Sequence, residues 1–485
     1  CCLAPAAHAI ILDTEWTRSA ASGPGAWTDG SNWSSGVPGP GNTGRIDNGG
    51  TAQVTNGSSS AGFFAVGDTP GGSGTLQVLW PGSGNPGNLS LADLVVGQSA
   101  GSQGSVLVDG VTPQNSSSYL TVESGGTLVV GDAGVGELQA SNGAGSRAPT
   151  AIIGKEPGSH GTVRVQGDGA KLWVGSGPVT IGERGGGEYH VADGAAPRNW
   201  TSALNIAAYP GSTGTLTITH SVGDSVWTAY TAAGGRVVVG GYFDEIGGGA
   251  IAGGTGQLTI TNNPALGENH AGLHCLVSGG PGDMWVMPDG TVRLEHGGGI
   301  NISGPNPPMA DPGWLYNYGV VEGQGRIFGR VLNSGLVSPG MSTGKLDTIY
   351  GYQQFSDGQL RIEIGGYNAG AQVDGFDVLA VVAGQGAVLD GELLLELAGG
   401  FLPNIGDQFA FLRTEGGVTG WQDVDITLVN FPSNLGATLG TMHDGLWLYA
   451  EIIGREPDEE VIPEPMSFAL LALGGLGLLR RRRRR

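Results

Sequence analysis

Lysine is almost missing from this chain: Lys155, Lys171 and Lys345 are the only three in 485 residues. Charged residues make up 13%, about half the usual share, and the formal net charge is −21. Neutralising phosphates takes clustered Lys and Arg, so such a chain is a poor nucleic-acid binder. Cysteine is scarce too, at Cys1, Cys2 and Cys275. The first two sit in an apolar leader, and one remaining thiol cannot close an internal disulfide, so a disulfide scaffold is excluded. Cys275 reads as a small buried hydrophobe. Ala, Glu, Lys and Leu do not dominate, which excludes a coiled coil or helical bundle.

Glycine is what the chain has in excess, 94 of 485 residues. Unpatterned, that much glycine with 26 prolines would border on disorder. The glycines are patterned. An apolar strand closes on Gly, a short loop follows, and then comes Gly-(polar)-apolar-x-apolar. Phe64-Ala65-Val66-Gly67 leads to Gly74-Thr75-Leu76-Gln77-Val78, and Leu94-Val95-Val96-Gly97 to Gly104-Ser105-Val106-Leu107-Val108. The same pair recurs at Gly131 with Gly136, Gly154 with Gly161, Gly182 with Gly187, Ala207 with Gly214 and Gly240 with Gly256, and a half-unit opens at Gly290. Apolar and polar residues alternate along each strand, one set inward and one outward. The glycines mark sharp bends or positive φ.

A unit this short cannot bury its own inward face, so stacking must make the core. The prediction is an all-β fold: a right-handed parallel β-helix, a solenoid, over 61–340, with strands about 4.8 Å apart. A propeller is the alternative, but its blades take around 40 or more residues, more than most units supply. Strands are also expected beyond 340, at Gln359 to Ile364, Phe376 to Leu379, Leu393 to Leu397, Phe409 to Leu412 and Leu446 to Ala450. Residues 341–455 are therefore read as final coils plus a β-sandwich-like cap over the open edge.

Three stretches carry resemblances. The run from Trp27 through Trp33 to Pro38 resembles the opening cap of bacterial surface β-solenoid proteins, which implies a cap over 10–60 with the Trp pair covering the first rung. Asn317-Tyr318-Gly319 to Asn333-Ser334-Gly335 and Pro339-Gly340-Met341-Ser342-Thr343-Gly344 resemble the late part of autotransporter-like passenger domains. The third stretch is the C-terminus. After an acidic linker, 456–462, come Pro463, Glu464 and Pro465, an apolar run of 14 residues, and Arg480, Arg481, Arg482, Arg483, Arg484 and Arg485. As a helix that run spans about 21 Å, short of a bilayer core of about 30 Å. The arginines hold the end cytoplasmic and snorkel, and the prolines keep the preceding backbone extended. Pro-Glu-Pro, short transmembrane helix and basic cluster over 463–485 resemble the PEP-CTERM sorting signal of Gram-negative bacteria. That implies recognition by exosortase, transient insertion in the inner membrane, and delivery to the outer surface or matrix. At the other end, 1–9 closes on Ala7-His8-Ala9 and reads as the remnant of a secretory signal peptide. A lipoprotein starting at Cys1 is the alternative, but polar residues usually follow a lipidated cysteine.

Catalytic chemistry is not found. The outward residues of the repeat, Gln77, Leu107, Gln139, Arg164, His190, Thr217, Thr259 and Arg293, share none. His270, His274 and His296 with Cys275 lack zinc spacing, and Asp374-Gly375-Phe376-Asp377 reads as a turn and strand start rather than a calcium site. No cofactor and no metal is called for. The chain is expected to be no enzyme but an exported structural or adhesion-type protein of the cell surface or extracellular matrix. The sorting resemblance implies exopolysaccharide as partner, beside exosortase and the secretion machinery. Trp80, Trp173, Trp227 and Trp285 are the candidates for sugar stacking. The alternative is a polysaccharide lyase or glycoside hydrolase on the same scaffold, its site in the long insertions near 219–236 or 262–290.

Overall fold

The computed structural model describes residues 14–455, apart from 83, 111–117, 176, 196–197, 200–202, 220–225, 232–234, 263–271, 278–279, 303–311 and 372; at 198–199, 226–231, 272–277 and 280–281 it describes the backbone alone. The strands stack in parallel on three faces. The first face runs through Thr127–Val130, Thr150–Ile153, Val179–Ile181 and Leu204–Ile206. The second runs through Gln103–Asp109, Val135–Ser141, His160–Gln166, Gly186–Ala192 and Thr213–Thr219. Between one second-face strand and the next first-face strand lies a third, as in Tyr119–Val122, Gly145–Ala148 and Lys171–Val174. This is a parallel β-helix, as the repeat requires. The two-part unit read from the sequence captures two of its sides, and the third side lies in segments read as loops.

Each face is built by the same alternation. Leu76, Val106, Leu138, Val163, Tyr189, Leu216, Leu258 and Val292 form one inward column in continuous register, none more than 1% exposed. Burying a side chain of this size stabilises by about 1.5–3 kcal/mol relative to leaving it in water. Every rung adds such residues to a core shared with the rungs above and below it.

The corner between first and second faces explains the glycine repeat. Gly67, Gly97, Gly131, Gly154, Gly182 and Gly240 all turn it with φ between 69° and 77°. At Gly131 a Cβ would run into the carbonyl of His160 one coil further on, and at Gly161 it would run into the carbonyl of Val130 one coil back. The corner therefore needs left-handed backbone and tight approach together, and glycine meets both without strain or collision. Ala207 occupies the equivalent place with φ 57°. Just beyond the next corner, at Gly240, an antiparallel hairpin, Gly241–Asp244 with Gly249–Ala252, leaves the coil. It folds onto the outside of the first face, where Phe243 packs on Ala203 and Val238 and its N–H donates to Asn205 Oδ1 at 3.0 Å.

Both ends depart from simple stacking. Parallel pairing already joins Thr14–Glu15 to Gly44–Ile46, and Trp16, Trp27 and Trp33 are buried at this end. Trp33 meets Trp16 and Trp27 edge-on at 4.9 and 5.0 Å, and Trp27 rests on Phe64. At the other end final coils and a sandwich-like cap were expected over 341–455, and the coils are there. Gln359–Ile364 pairs in parallel with Glu392–Leu397, and that strand with Asp425–Val429. Antiparallel closure comes with the hairpin of Leu435–Met442 and Trp447–Gly454, whose second strand pairs with Gln408–Thr414. A hairpin strand running against the stack ends the parallel ladder without a second sheet. Among the described residues, no helix is long and apolar enough to cross a membrane; the expected C-terminal helix, 463–485, and the leader, 1–9, fall outside them.

The Asn-x-Gly turns fasten the late coils from inside. Asn317 and Asn333 are fully buried, and each Oδ1 accepts the N–H of the glycine two residues on, Gly319 and Gly335, at 3.2 Å. Asn317 Nδ2 donates to Asn333 Oδ1 at 2.7 Å, and Asn333 Nδ2 donates to the Tyr352 hydroxyl at 3.1 Å. Each buried amide thus closes its own turn and ties it to the next coil.

Two substitutions test the corner. Gly131→Ala should lower the thermal midpoint, by the equivalent of about 2 kcal/mol or more, because both strain and collision act there. Ala207→Gly should raise it, by roughly 1 kcal/mol. Calorimetric melts check both, and a destabilised Ala207→Gly protein would refute the explanation.

Candidate functional site

Four successive rungs of the first face carry an outward strip whose two middle rungs bear aromatic residues. Arg236–Val239, Asp283–Val286, Trp314–Asn317 and Arg330–Asn333 pair in parallel, which sets Arg236, Asp283, Trp314 and Arg330 in one column. Val238, Trp285, Tyr316 and Leu332 form the next outward column. Alternation forces this: Val237, Met284, Leu315 and Val331 between them point into the core.

The rings of the second column meet face to face. Trp285 stacks on Tyr316 with centroids 5.5 Å apart and planes 8° from parallel. Tyr316 meets Trp314 at 6.4 Å and 28°, and Phe243 of the folded-over hairpin reaches Trp285 at 5.4 Å. Trp285, Trp314 and Tyr316 are half-buried, so they keep surface open to solvent. Desolvation, chiefly, and then the Asp283 carboxylate push the Tyr316 hydroxyl above its ordinary range. Arginines flank the strip. Arg236 lies over Phe243 at 4.1 Å and pairs with Glu245 at 2.8 Å. Arg330 lies over Trp314 at 5.0 Å. Such a surface offers half-buried aromatic rings and guanidinium donors fixed on rigid strands, which suits a ligand with apolar and polar parts.

Of the candidate tryptophans, Trp285 alone joins such a group. Trp173 faces outward on the third face with Arg147 and Lys171 over its ring at 4.8 and 5.7 Å. Trp80 begins the turn after the second face, its N–H donated to the Asp109 carbonyl at 3.2 Å. No aromatic ring packs on either among the described residues. The Trp227 side chain lies outside them, as do Pro463, Glu464, Pro465, the six terminal arginines and much of the insertions near 219–236 and 262–290. Phe243, Trp314, Tyr316 and Arg330 were not picked out from the sequence. The alternation Trp314-Leu315-Tyr316 was the available signal, since its two rings must share one face.

Of the remaining candidates, His270 and the side chains of His274 and Cys275 lie outside the described residues. The outward row of the second face holds half-exposed pairs such as His190 with Glu188 at 3.1 Å and Arg164 with Glu137 at 3.6 Å, each worth about 0–1 kcal/mol. Among the described residues no three His, Cys, Asp or Glu side chains are placed to hold a metal ion. His296, with φ 52°, sits in a bulge between Leu294 and Gly298. There Leu294, Glu295, His296, Gln324 and Met341 line a small cleft of about 280 Å³, and Glu295 accepts the Thr261 hydroxyl at 2.8 Å. Asp374 takes a turn with φ 50°. Asp377 is fully buried. Its Oδ1 accepts the Gly344 N–H at 2.7 Å and its Oδ2 the Glu363 N–H at 2.8 Å. It therefore locks down the end of the Pro-Gly-Met-Ser-Thr-Gly run.

Burial pushes the Asp377 carboxyl up to about 9, against the pull of those two amide bonds. The folded state thus holds a proton that the unfolded chain releases at the ordinary carboxylate value. Stability from this group is complete below about pH 4 and is lost as pH rises toward 9. The melting temperature should fall between pH 5 and 9, and less steeply in Asp377→Asn; parallel slopes in calorimetry would contradict this. No protein-family model matches the chain, and no curated protein matches it in sequence.

Proposed function

We propose that this chain is an exported structural or adhesive rod of the bacterial cell surface or extracellular matrix, holding polysaccharide on its outward faces. The observation that carries the reading is the near-parallel stack of Trp285 on Tyr316, solvent-facing on a rigid parallel β-helix. Sugar rings present C–H faces that pack on aromatic faces, and hydroxyl edges that take hydrogen bonds from arginine. A rigid rod also spends no ordering entropy when it binds, so several weak contacts along a polymer can act together. Right-handed winding belongs to this proposal, on the general rule for parallel strand crossovers.

The route to the surface rests on the tail. Pro463, Glu464 and Pro465, the short apolar run and Arg480 to Arg485 would be read by exosortase during transient insertion in the inner membrane. The strongly negative charge that remains favours solubility and keeps copies apart.

Retention on exopolysaccharide tests the binding half. Trp285→Ala should weaken retention about tenfold, the loss of one aromatic platform, while leaving the melting temperature within a few degrees. Release of sugar fragments by the wild-type protein would instead establish a lyase or hydrolase. Mass spectrometry of surface material tests the other half. The mature chain should end before Arg480, and an intact Arg485 end would overturn the sorting route.

A further inference from the structure

Resting on the polysaccharide reading above, we infer that the aromatic strip selects acidic polysaccharides, with Arg330 as the contact for the carboxylate or sulfate of a sugar stacked on the neighbouring rings. Cations are few in this chain, 22 Lys and Arg against 43 Asp and Glu, and acidic partners hold many of them. Lys155 is paired with Asp132, Arg236 with Glu245 and Arg293 with Glu322. Arg326 and Lys345 share Asp347, and Arg361 bridges Glu363 and Glu396. Arg330 has no carboxylate within ion-pair distance among the described residues.

Its surroundings leave the guanidinium open to a ligand. Trp314 neighbours it in the column, with the guanidinium carbon over the ring and 5.0 Å from its centre. Val331 pairs with Tyr352, so Gly351 follows Arg330 in the same column. A side chain there would find nothing nearer than 3.9 Å. The nearest acid of the column, Asp283, is two rungs away, roughly 10 Å, about one Debye length at physiological salt. Its Oδ1 accepts the Trp314 N–H at 3.2 Å. A sugar packed on Tyr316 and Trp285 in the adjoining column would bring an anionic substituent within reach of this guanidinium, which matches carboxylate and sulfate oxygens two at a time.

Affinity electrophoresis in gels carrying alginate (a polyuronate), dextran sulfate or neutral dextran tests the inference. The wild-type protein should be retarded more by an acidic polymer than by dextran, and the two acidic gels distinguish carboxylate from sulfate. Arg330→Gln should lower affinity for the preferred acidic polymer about tenfold and leave dextran binding unchanged. Arg330→Lys should restore part of the loss. Arg147→Gln, a cation on Trp173 removed from the strip, should stay within about twofold of wild type, and matched melts confirm that each variant is folded. Equal retardation by acidic and neutral polymers, or an Arg330→Gln protein indistinguishable from wild type, overturns the selectivity while glycan binding stands. If no polymer retards the wild-type protein, and Trp285→Ala behaves identically, the polysaccharide reading falls with it.

Discussion

The closest constraint in this molecule is the corner between first and second faces, where one coil's backbone passes against the next with no room for a side chain. Gly131 and Gly161 meet there from successive coils, the first in left-handed conformation. A Cβ at either place would push the coils apart, and the parallel hydrogen bonds on both adjoining faces depend on that spacing. The glycine excess is therefore a packing requirement. Ala207, at φ 57°, shows that the backbone conformation can persist at one corner without glycine, at a cost in strain.

Once the coils are held at strand spacing, alternation decides the rest of each face. Inward residues close a continuous apolar core, and outward residues are freed from it to form columns whose chemistry is unconstrained by folding. On most of the second face those columns hold unlike residues, Gln139 beside Arg164 beside His190. On the first face, between Arg236 and Asn333, they hold rings and arginines. That difference between neighbouring faces of one repeat sets the strip apart.

The interior is not purely apolar. Asn317, Asn333 and Asp377 are buried where strand gives way to turn, and each satisfies backbone N–H groups that the coil leaves unpaired. Such groups stabilise because their partners would otherwise be buried and unbonded, a loss of about 1–3 kcal/mol apiece. The late coils rely on these polar fasteners where the earlier ones rely on paired glycines.

From the sequence came the strands of two faces, the corner glycines and the all-β solenoid, because each depends on spacing within a few residues: a period of two and a glycine at the bend. The third face escaped notice because its strands, such as Tyr119–Val122 and Lys171–Val174, lack the recurrent glycine marks of the other two and sit among polar loop residues. The final coils were legible too, but how they close was not, since a final antiparallel hairpin reads like any other pair of strands until its partner is known. Trp285 was picked out singly, but its company was not. Phe243, Trp314, Tyr316 and Arg330 come together through register, as Asp377 meets Gly344. Register depends on coil length, which differs widely between the step from Trp314 to Arg330 and the step from Leu216 to Leu258. Local alternation determined which way each side chain points; only the stacked coils, with their unequal loops, decided which side chains stand one above another.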